Sequence, residues 1–146
     1  MSQMSRDAIA ELVHRYADAV VYHDRDQWAS TWSDTATWVL GPGREVEGRT
    51  AIVELWSKAM AGFEAVVQNV VNGQVTFDAN ATTAAGRWYI MEHFRRADGT
   101  PGMLLAHYDD TYVAVDGAWL FASRALTIHY QGPPDLSAGF KNRIQA

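Results

Sequence analysis

The sequence predicts a segregated α+β fold, in which N-terminal helices are followed by long extended segments. Apolar residues recur at helical spacing early in the chain, as at Ile9, Val13 and Tyr16. From Glu64 onward the pattern becomes mostly extended, with turn signals between long stretches. Four long antiparallel strands after three helices indicate a curved sheet wrapped around a helix.

The individual elements follow in order along the chain. Ser5 is expected to cap the first helix, which runs towards Asp24. The Gly-Pro-Gly turn at residues 41–43 should join a strand to a short partner. The further elements are predicted as a helix at 26–33, strands at 35–40 and 44–46, a helix at 49–63, and strands at 65–78, 82–96, 103–115 and 119–131. Residues 1–134 should form one domain, and residues 135–146 a tail that packs over it or against a neighbour.

Composition excludes several classes of protein. The chain has 146 residues, 48% hydrophobic and 20% charged, as in an ordinary globular domain. Its net charge of −5 argues against a nucleic acid or an anionic membrane as a partner. The absence of cysteine excludes disulfides, thiol catalysis and thiolate metal sites. With no hydrophobic signal core and no run of membrane-spanning length, a cytoplasmic protein is the default expectation.

Asp24 is the most informative single residue. If the first helix continues to it, Asp24 lies on the same apolar stripe as Leu12, Tyr16 and Val20. A carboxylate there must find a polar partner or line a cavity that a ligand enters. If the helix ends earlier, Asp24 is instead a solvated cap of the next helix. Helix geometry alone leaves both interpretations open.

Several motifs together resemble the SnoaL-like branch of the nuclear transport factor 2-like superfamily, which contains dehydratases and a dehydrochlorinase. The matching features are the Tyr16 helix, Asp24 followed by Trp28, the segment SDTATW at 33–38, Gly48-Arg49, Asn72, and the DGAW turn at 116–119. The resemblance implies a cone of bent antiparallel sheet, closed by helices, with a deep apolar pocket. It implies no cofactor, and no pair of histidines has a recognisable metal-ligand spacing.

The resemblance also implies a catalytic dyad that this chain has lost. In such enzymes a helix aspartate orients a histidine on a facing strand, and the histidine removes a proton. Asp24 takes the aspartate's position, but Gln68 takes the histidine's, and a glutamine amide cannot shuttle a proton near neutral pH. Three interpretations remain: Asp24 is the sole base, another histidine substitutes, or the pocket binds without catalysing.

Strand alternation ranks the substitute histidines. His93 shares a face with Tyr89 and Met91, which the resemblance turns towards the pocket. Leu104, Ala106, Tyr108 and Asp110 share one side of the next strand, which the resemblance turns inward, so His107 should point outward. His23 is the expected direct partner of Asp24, because it is next to it in the chain. His129, near a strand end, is expected to be structural.

Arg124 and Tyr16 are the remaining polar candidates. Arg124 lies among apolar residues on its strand and needs an acid or an anionic ligand, with Asp24 or Asp110 as the expected partner and a buried structural ion pair as the alternative. Tyr16 corresponds to the oxyanion-donating tyrosine of ketosteroid isomerases, but Leu40 and Ala106 stand at that mechanism's acid positions and do not support it. A buried tyrosine with a satisfied hydroxyl is the commoner case.

These residues predict a cofactor-independent lyase or isomerase that abstracts a proton from a cyclic, hydrophobic molecule. Asp24, His93 and Tyr16 are the expected catalytic residues. Gln68 and Arg124 should hold polar substrate groups. The expected apolar lining is Trp32, Trp38, Leu40, Phe63, Val66, Tyr89, Met91, Leu104 and Tyr108. The alternatives are a noncatalytic ligand-binding protein and a structural role like that of the β subunit of ring-hydroxylating dioxygenases. A homodimer or homotrimer is expected, because an open cone usually covers part of its outer face.

Overall fold

The structure, a computed structural model, describes residues 2–144, with side chains from Arg6 onward. The predicted order of elements is confirmed, although several ends differ by a few residues. The elements are α1 (Ser2–Tyr22), α2 (Arg25–Ala29), β1 (Trp32–Val39), β2 (Glu45–Glu47), α3 (Arg49–Met60), β3 (Phe63–Phe77), β4 (Thr83–Arg96), β5 (Pro101–Val115) and β6 (Ala118–Gly132). The helix therefore begins before Ser5, where a cap was expected.

The six strands form one curved, open sheet in the order β2-β1-β6-β5-β4-β3. Strands β3 to β6 form an antiparallel meander, as predicted. Strand β1 departs from the all-antiparallel expectation, since it runs parallel to β6 and antiparallel to β2. The helices lie against one side of this sheet and produce the predicted cone.

The core forms between the helices and one face of the sheet, which we call the inner face. Helix α1 buries its apolar stripe there, including Ile9, Leu12 and Val20. Trp28 and Trp56 join α2 to α3 by stacking, with ring centroids 4.5 Å apart and planes 8° apart. Gly73 lets the sheet pack closely, because a Cβ at this position would lie 2.3 Å from the Trp88 ring.

The opposite, outer face carries the alternate residues of the same strands. The C-terminal tail covers one end of it, where Phe140 bridges to Tyr130 and their ring centroids lie 5.0 Å apart. The Lys141 backbone N–H donates to the His129 carbonyl at 2.8 Å. The described part of the tail thus packs on β6, while residues 145–146 lie outside the described residues. None of the described helices is both long and apolar enough to span a membrane.

Candidate active site

Gln68 and Glu92 form a polar pair on the inner face. They are direct partners across β3 and β4, and Gln68 Nε2 donates to Glu92 Oε2 at 2.7 Å. Gln68 is buried, and its Oε1 has no hydrogen-bond partner among the described residues. Burial raises the pKa of Glu92, and the hydrogen bond from Gln68 partly opposes that rise. Glu92 as a whole residue is half-buried.

The position of Glu92 follows from the alternation of its strand. Trp88, Ile90 and Phe94 share its side of β4, and Leu104 is its partner on β5. A carboxylate in this otherwise apolar row is a better proton acceptor than an exposed one, because the apolar surroundings disfavour its charge. Sequence reasoning missed Glu92. The available signal was the row Trp88, Ile90, Glu92 and Phe94, which is more strongly apolar than the alternate row.

Arg124 is paired with Asp110 and not with Asp24. Arg124 Nε and Nη2 donate to the two Asp110 oxygens at 2.7 and 3.1 Å, and both residues are buried. The Tyr112 hydroxyl donates to Asp110 at 2.8 Å and accepts from Trp88 Nε1 at 2.9 Å. Burial raises the pKa of Asp110, while the adjacent guanidinium limits that rise. This buried bidentate pair matches the structural alternative for Arg124.

Tyr16 and Tyr108 enclose the guanidinium and meet at their hydroxyls. The guanidinium carbon of Arg124 lies 4.4 Å from the Tyr16 ring centroid and 3.9 Å from that of Tyr108. The two hydroxyl oxygens are 3.3 Å apart. Burial raises the pKa of both tyrosines, so both are neutral phenols at ordinary pH. Because only one hydroxyl donates in this contact, the proton of the other hydroxyl is not used in it.

Further polar atoms of the inner core lack partners. The indole N–H groups of Trp28 and Trp32 are buried and find no acceptor among the described residues. Buried donors of this kind usually have a partner, so each is a candidate contact for a polar ligand atom. Together with Gln68 Oε1 they give the inner core a set of hydrogen-bonding positions within apolar walls.

Asp24 does not lie on the core-facing stripe, so that placement was wrong. Helix α1 ends at Tyr22, and His23 takes a left-handed conformation with φ 52° that turns the chain away. Asp24 is the exposed N-cap of α2, and its Oδ1 accepts from the Gln27 backbone N–H at 3.0 Å. The alternative of a solvated cap is the one that the structure contains. His23 is exposed too, and the hydrogen bonds described for Asp24 do not include it.

The predicted orientation of β4 was also wrong. Tyr89, Met91 and His93 lie on the outer face, because the buried residues Trp88 and Ile90 take the inner one. His93 is exposed and therefore does not join the inner-face polar groups. His107 points away from the inner core as predicted, and it is buried on the outer face against His129.

The other predicted lining residues lie on the inner side. Trp32, Trp38, Val66, Leu104 and Tyr108 are buried in the core cluster, and Leu40 and Phe63 pack against it. Two predicted site residues, Tyr89 and Met91, line a cavity of about 360 Å³ on the outer face. Leu40 lines one of about 340 Å³ between β1, β6 and the tail. Within residues 2–144, no cluster of three or more histidine or acidic side chains could hold a metal ion.

The open, bent sheet with helices over one face and polar groups inside an apolar core defines a nuclear transport factor 2-like domain. The model of the SnoaL-like domain family matches residues 3–125, and the chain belongs to this family. No curated protein matches it.

Solved structures have the same fold. A scytalone dehydratase-like protein from Novosphingobium aromaticivorans DSM 12444 superposes with a TM-score of 0.87 at 20% identity, over 99% of this chain and 97% of that one. LinA superposes with a TM-score of 0.83 at 23% identity, over 90% of each chain. The Kfla4162 protein from Kribbella flavida gives 0.82 at 20% identity, over 93% of this chain and 98% of that one. At these identities the likeness is one of fold.

Proposed function

We propose that this protein is a cofactor-independent lyase or isomerase in which Glu92 abstracts a proton from a cyclic, hydrophobic small molecule. The observation that carries the proposal is a carboxyl group in an apolar row, held by Gln68 at 2.7 Å, with its pKa raised by burial. Such a carboxylate is a stronger base than one in water, which suits proton abstraction near neutral pH.

The tyrosine pair supplies the complementary group. Tyr108 lies on the same face as Glu92. Burial is the main cause of the raised Tyr108 pKa, and the charge of Glu92 adds to that rise. A neutral tyrosine hydroxyl can donate to an oxygen on which charge develops as the C–H bond breaks. Glu92 would then accept the proton while Tyr16 or Tyr108 stabilises the oxyanion.

Two solved relatives by fold support this reaction class. One is a dehydratase-like protein, and another is described as a hexachlorocyclohexane dehydrochlorinase. Both names denote elimination from a small molecule. For this chain the common step would be removal of a proton by Glu92, in place of the aspartate–histidine dyad that the resemblance implied.

A noncatalytic binding protein is the second candidate. Two observations favour it. Gln68 stands at the position of the dyad histidine, and Asp24 is exposed, so neither member of the expected dyad is present in the core. In this alternative, Gln68, Glu92 and the free indole N–H groups would bind a polar edge of a hydrophobic ligand.

Proton exchange tests the proposal without knowledge of the natural substrate. The protein is incubated with 1-tetralone, a cyclic hydrophobic ketone, in deuterated water, and NMR follows loss of the α-proton. We expect the native chain to accelerate exchange and Glu92→Gln to lower that rate by about 10²-fold or more, as is typical for loss of a general base. The control is Glu64→Gln, which removes an exposed glutamate paired with Arg95.

A binding measurement on the same proteins separates the two candidates. If 1-tetralone binds but neither the native chain nor the control exchanges its protons, the binding protein is correct and the enzyme proposal fails. If Glu92→Gln exchanges as fast as the native chain, Glu92 is not the base.

A further inference from the structure

Arg96 ends the inner-face row of β4 that contains Glu92. The row runs from buried Ile90 through half-buried Glu92 and Phe94 to exposed Arg96, so exposure increases towards the end of the strand. Arg96 therefore lies where this face of the sheet opens to solvent. A ligand seated beside Glu92 would have its outer end near this arginine.

Two aromatic rings hold the Arg96 side chain. Its guanidinium carbon lies 5.0 Å from the ring centroid of Phe94 and 5.4 Å from that of Phe63, its partner on β3. The two rings meet edge to face, with centroids 5.2 Å apart and planes 71° apart. Contacts of this kind hold the guanidinium in place without using its hydrogen-bond donors.

The backbone around Arg96 supports the same arrangement. Gly102 pairs with Phe94, and a Cβ at Gly102 would lie 2.3 Å from the Phe94 ring, so this ring lies directly over β5. The Arg96 N–H donates to the Thr100 carbonyl at 2.9 Å, and the Arg96 carbonyl accepts from the Gly99 N–H at 2.8 Å. The guanidinium is therefore positioned by the rings and by the turn that follows β4.

The guanidinium of Arg96 forms no ion pair or hydrogen bond with the described side chains. Adjacent Arg95 gives the contrast, because it points to the outer face and donates to the two Glu64 oxygens at 2.7 and 3.0 Å. The nearest acid along the chain, Asp98, accepts from the Thr100 N–H at 2.9 Å. Hydrogen bonds from Thr100 are the main cause of the lowered Asp98 pKa, and the charge of Arg96 adds less.

We propose that Arg96 binds a carboxylate of the substrate, so that the natural substrate is a hydrophobic ring compound with one carboxylate remote from the C–H bond whose proton Glu92 removes. This assignment rests on the proposed function. One guanidinium without a counter-charge matches one carboxylate, to which it can donate two parallel hydrogen bonds. Because Arg96 follows Glu92 by four strand residues and folds back over Phe94, the two substrate groups should be about 7–13 Å apart.

Matched ring ketones test this assignment. 1-Tetralone-6-carboxylate carries the anion on the ring remote from its acidic α-carbon, and 1-tetralone-6-carboxamide has nearly the same shape without the charge. Titrations followed by NMR give the dissociation constants of both probes for the native chain and for Glu92→Gln. We expect the carboxylate to bind about tenfold more tightly to both proteins, the effect of one charge-assisted pair. In α-proton exchange the preference should appear in KM with kcat nearly unchanged, because Arg96 does not contact the reacting atoms.

Two neighbouring arginines provide the matched variants. Arg96→Met removes the charge but keeps an apolar side chain over the rings, whereas Arg95→Met removes the adjacent charge on the outer face. We expect Arg96→Met to abolish the carboxylate preference and Arg95→Met to retain it. Arg96→Lys should retain part of it, since an ammonium group keeps the charge but not the planar fork.

The outcomes distinguish the role of Arg96 from that of Glu92. Equal affinities of the two probes for the native chain, equal effects of the two methionine variants, or absence of carboxylate binding would overturn the role of Arg96. If exchange of 1-tetralone still depended on Glu92 in that case, the proposed function would stand without it. A carboxylate preference that Arg96→Met removes, in a chain whose exchange Glu92→Gln does not slow, would support the carboxylate site while Glu92 fails as the base.

Discussion

Gln68 and Glu92 lie opposite each other on β3 and β4, and the amide of Gln68 donates to the Glu92 carboxylate at 2.7 Å. The pair places a titratable carboxyl group next to Gln68, which stands where the resemblance to dehydratases implies a histidine. Gln68 thus has a defined role in the proposed reaction, which is to orient Glu92 and to moderate its basicity.

Removing the Gln68 amide should make Glu92 more basic. The hydrogen bond favours the ionised carboxylate, so Gln68→Leu should raise the Glu92 pKa above its value in the native chain. Carbon-13 NMR of the Glu92 carboxyl measures this shift directly. The control is Gln74→Leu, which changes an exposed glutamine of the same strand and should leave the titration unchanged. An unchanged or lowered pKa in Gln68→Leu would contradict the role assigned to Gln68.

Asp24 offers a clean separation of capping from catalysis. Asn caps a helix about as well as Asp, so Asp24→Asn should leave both stability and proton exchange unchanged. Asp24→Ala loses the acceptor for the Gln27 N–H and should lower the free energy of unfolding by about 0.5–2 kcal/mol. Urea unfolding and the tetralone assay measure the two effects. If Asp24→Asn abolished proton exchange while the protein remained folded, the Asp24 carboxyl group would be catalytic after all.

The buried His107 on the outer face should make stability depend on pH. Burial lowers the pKa of His107 in the folded state, so the unfolded chain binds a proton first as the pH falls. Stability is then highest above the ordinary histidine pKa of about 6.5 and decreases below it. The groups facing His107 are Asp109, His129 and Tyr89, with Arg87 behind Asp109.

Urea unfolding between pH 7.5 and 5 checks this dependence. His107→Gln should flatten the decline, whereas His14→Gln, at an exposed position of α1, should retain it. If the free energy of unfolding declined equally steeply in both variants, a group other than His107 would cause the pH dependence.

The difference between predicted and observed sites has a physical cause in β4. Both alternating rows of this strand contain large apolar residues, Trp88 and Ile90 on one side and Tyr89 and Met91 on the other. The row of Trp88 and Ile90 is the more apolar, but the resemblance decided the assignment, and an error of one residue exchanges His93 for Glu92. The faces of β5 were assigned correctly because the resemblance turned Leu104, Ala106 and Tyr108 inward. Asp110 follows on the same row and was therefore a candidate partner of Arg124.

The end of α1 was ambiguous for a different reason. Whether Asp24 belongs to the helix depends on the single backbone conformation of His23, which has a left-handed φ of 52°. Histidine is not a residue that marks such an end as glycine does, so the apolar stripe appeared to continue. The order of elements was predictable because each depends on many residues, whereas this site assignment depended on one.

The Arg124–Asp110 pair should be costly to break and cheaper to replace. Both groups are buried, so Arg124→Met leaves an unpaired carboxylate and should lower the free energy of unfolding by about 3–5 kcal/mol. Replacing both residues, as Asp110→Leu with Arg124→Met, leaves no buried charge and should cost clearly less than the sum of the two single changes. Urea unfolding of the four proteins of this cycle measures the coupling. Lys58→Met is the control, since its ion pair with Glu54 is exposed and should contribute about 1 kcal/mol or less. Simple additivity of the Asp110 and Arg124 changes would show that the pair does not act as a unit.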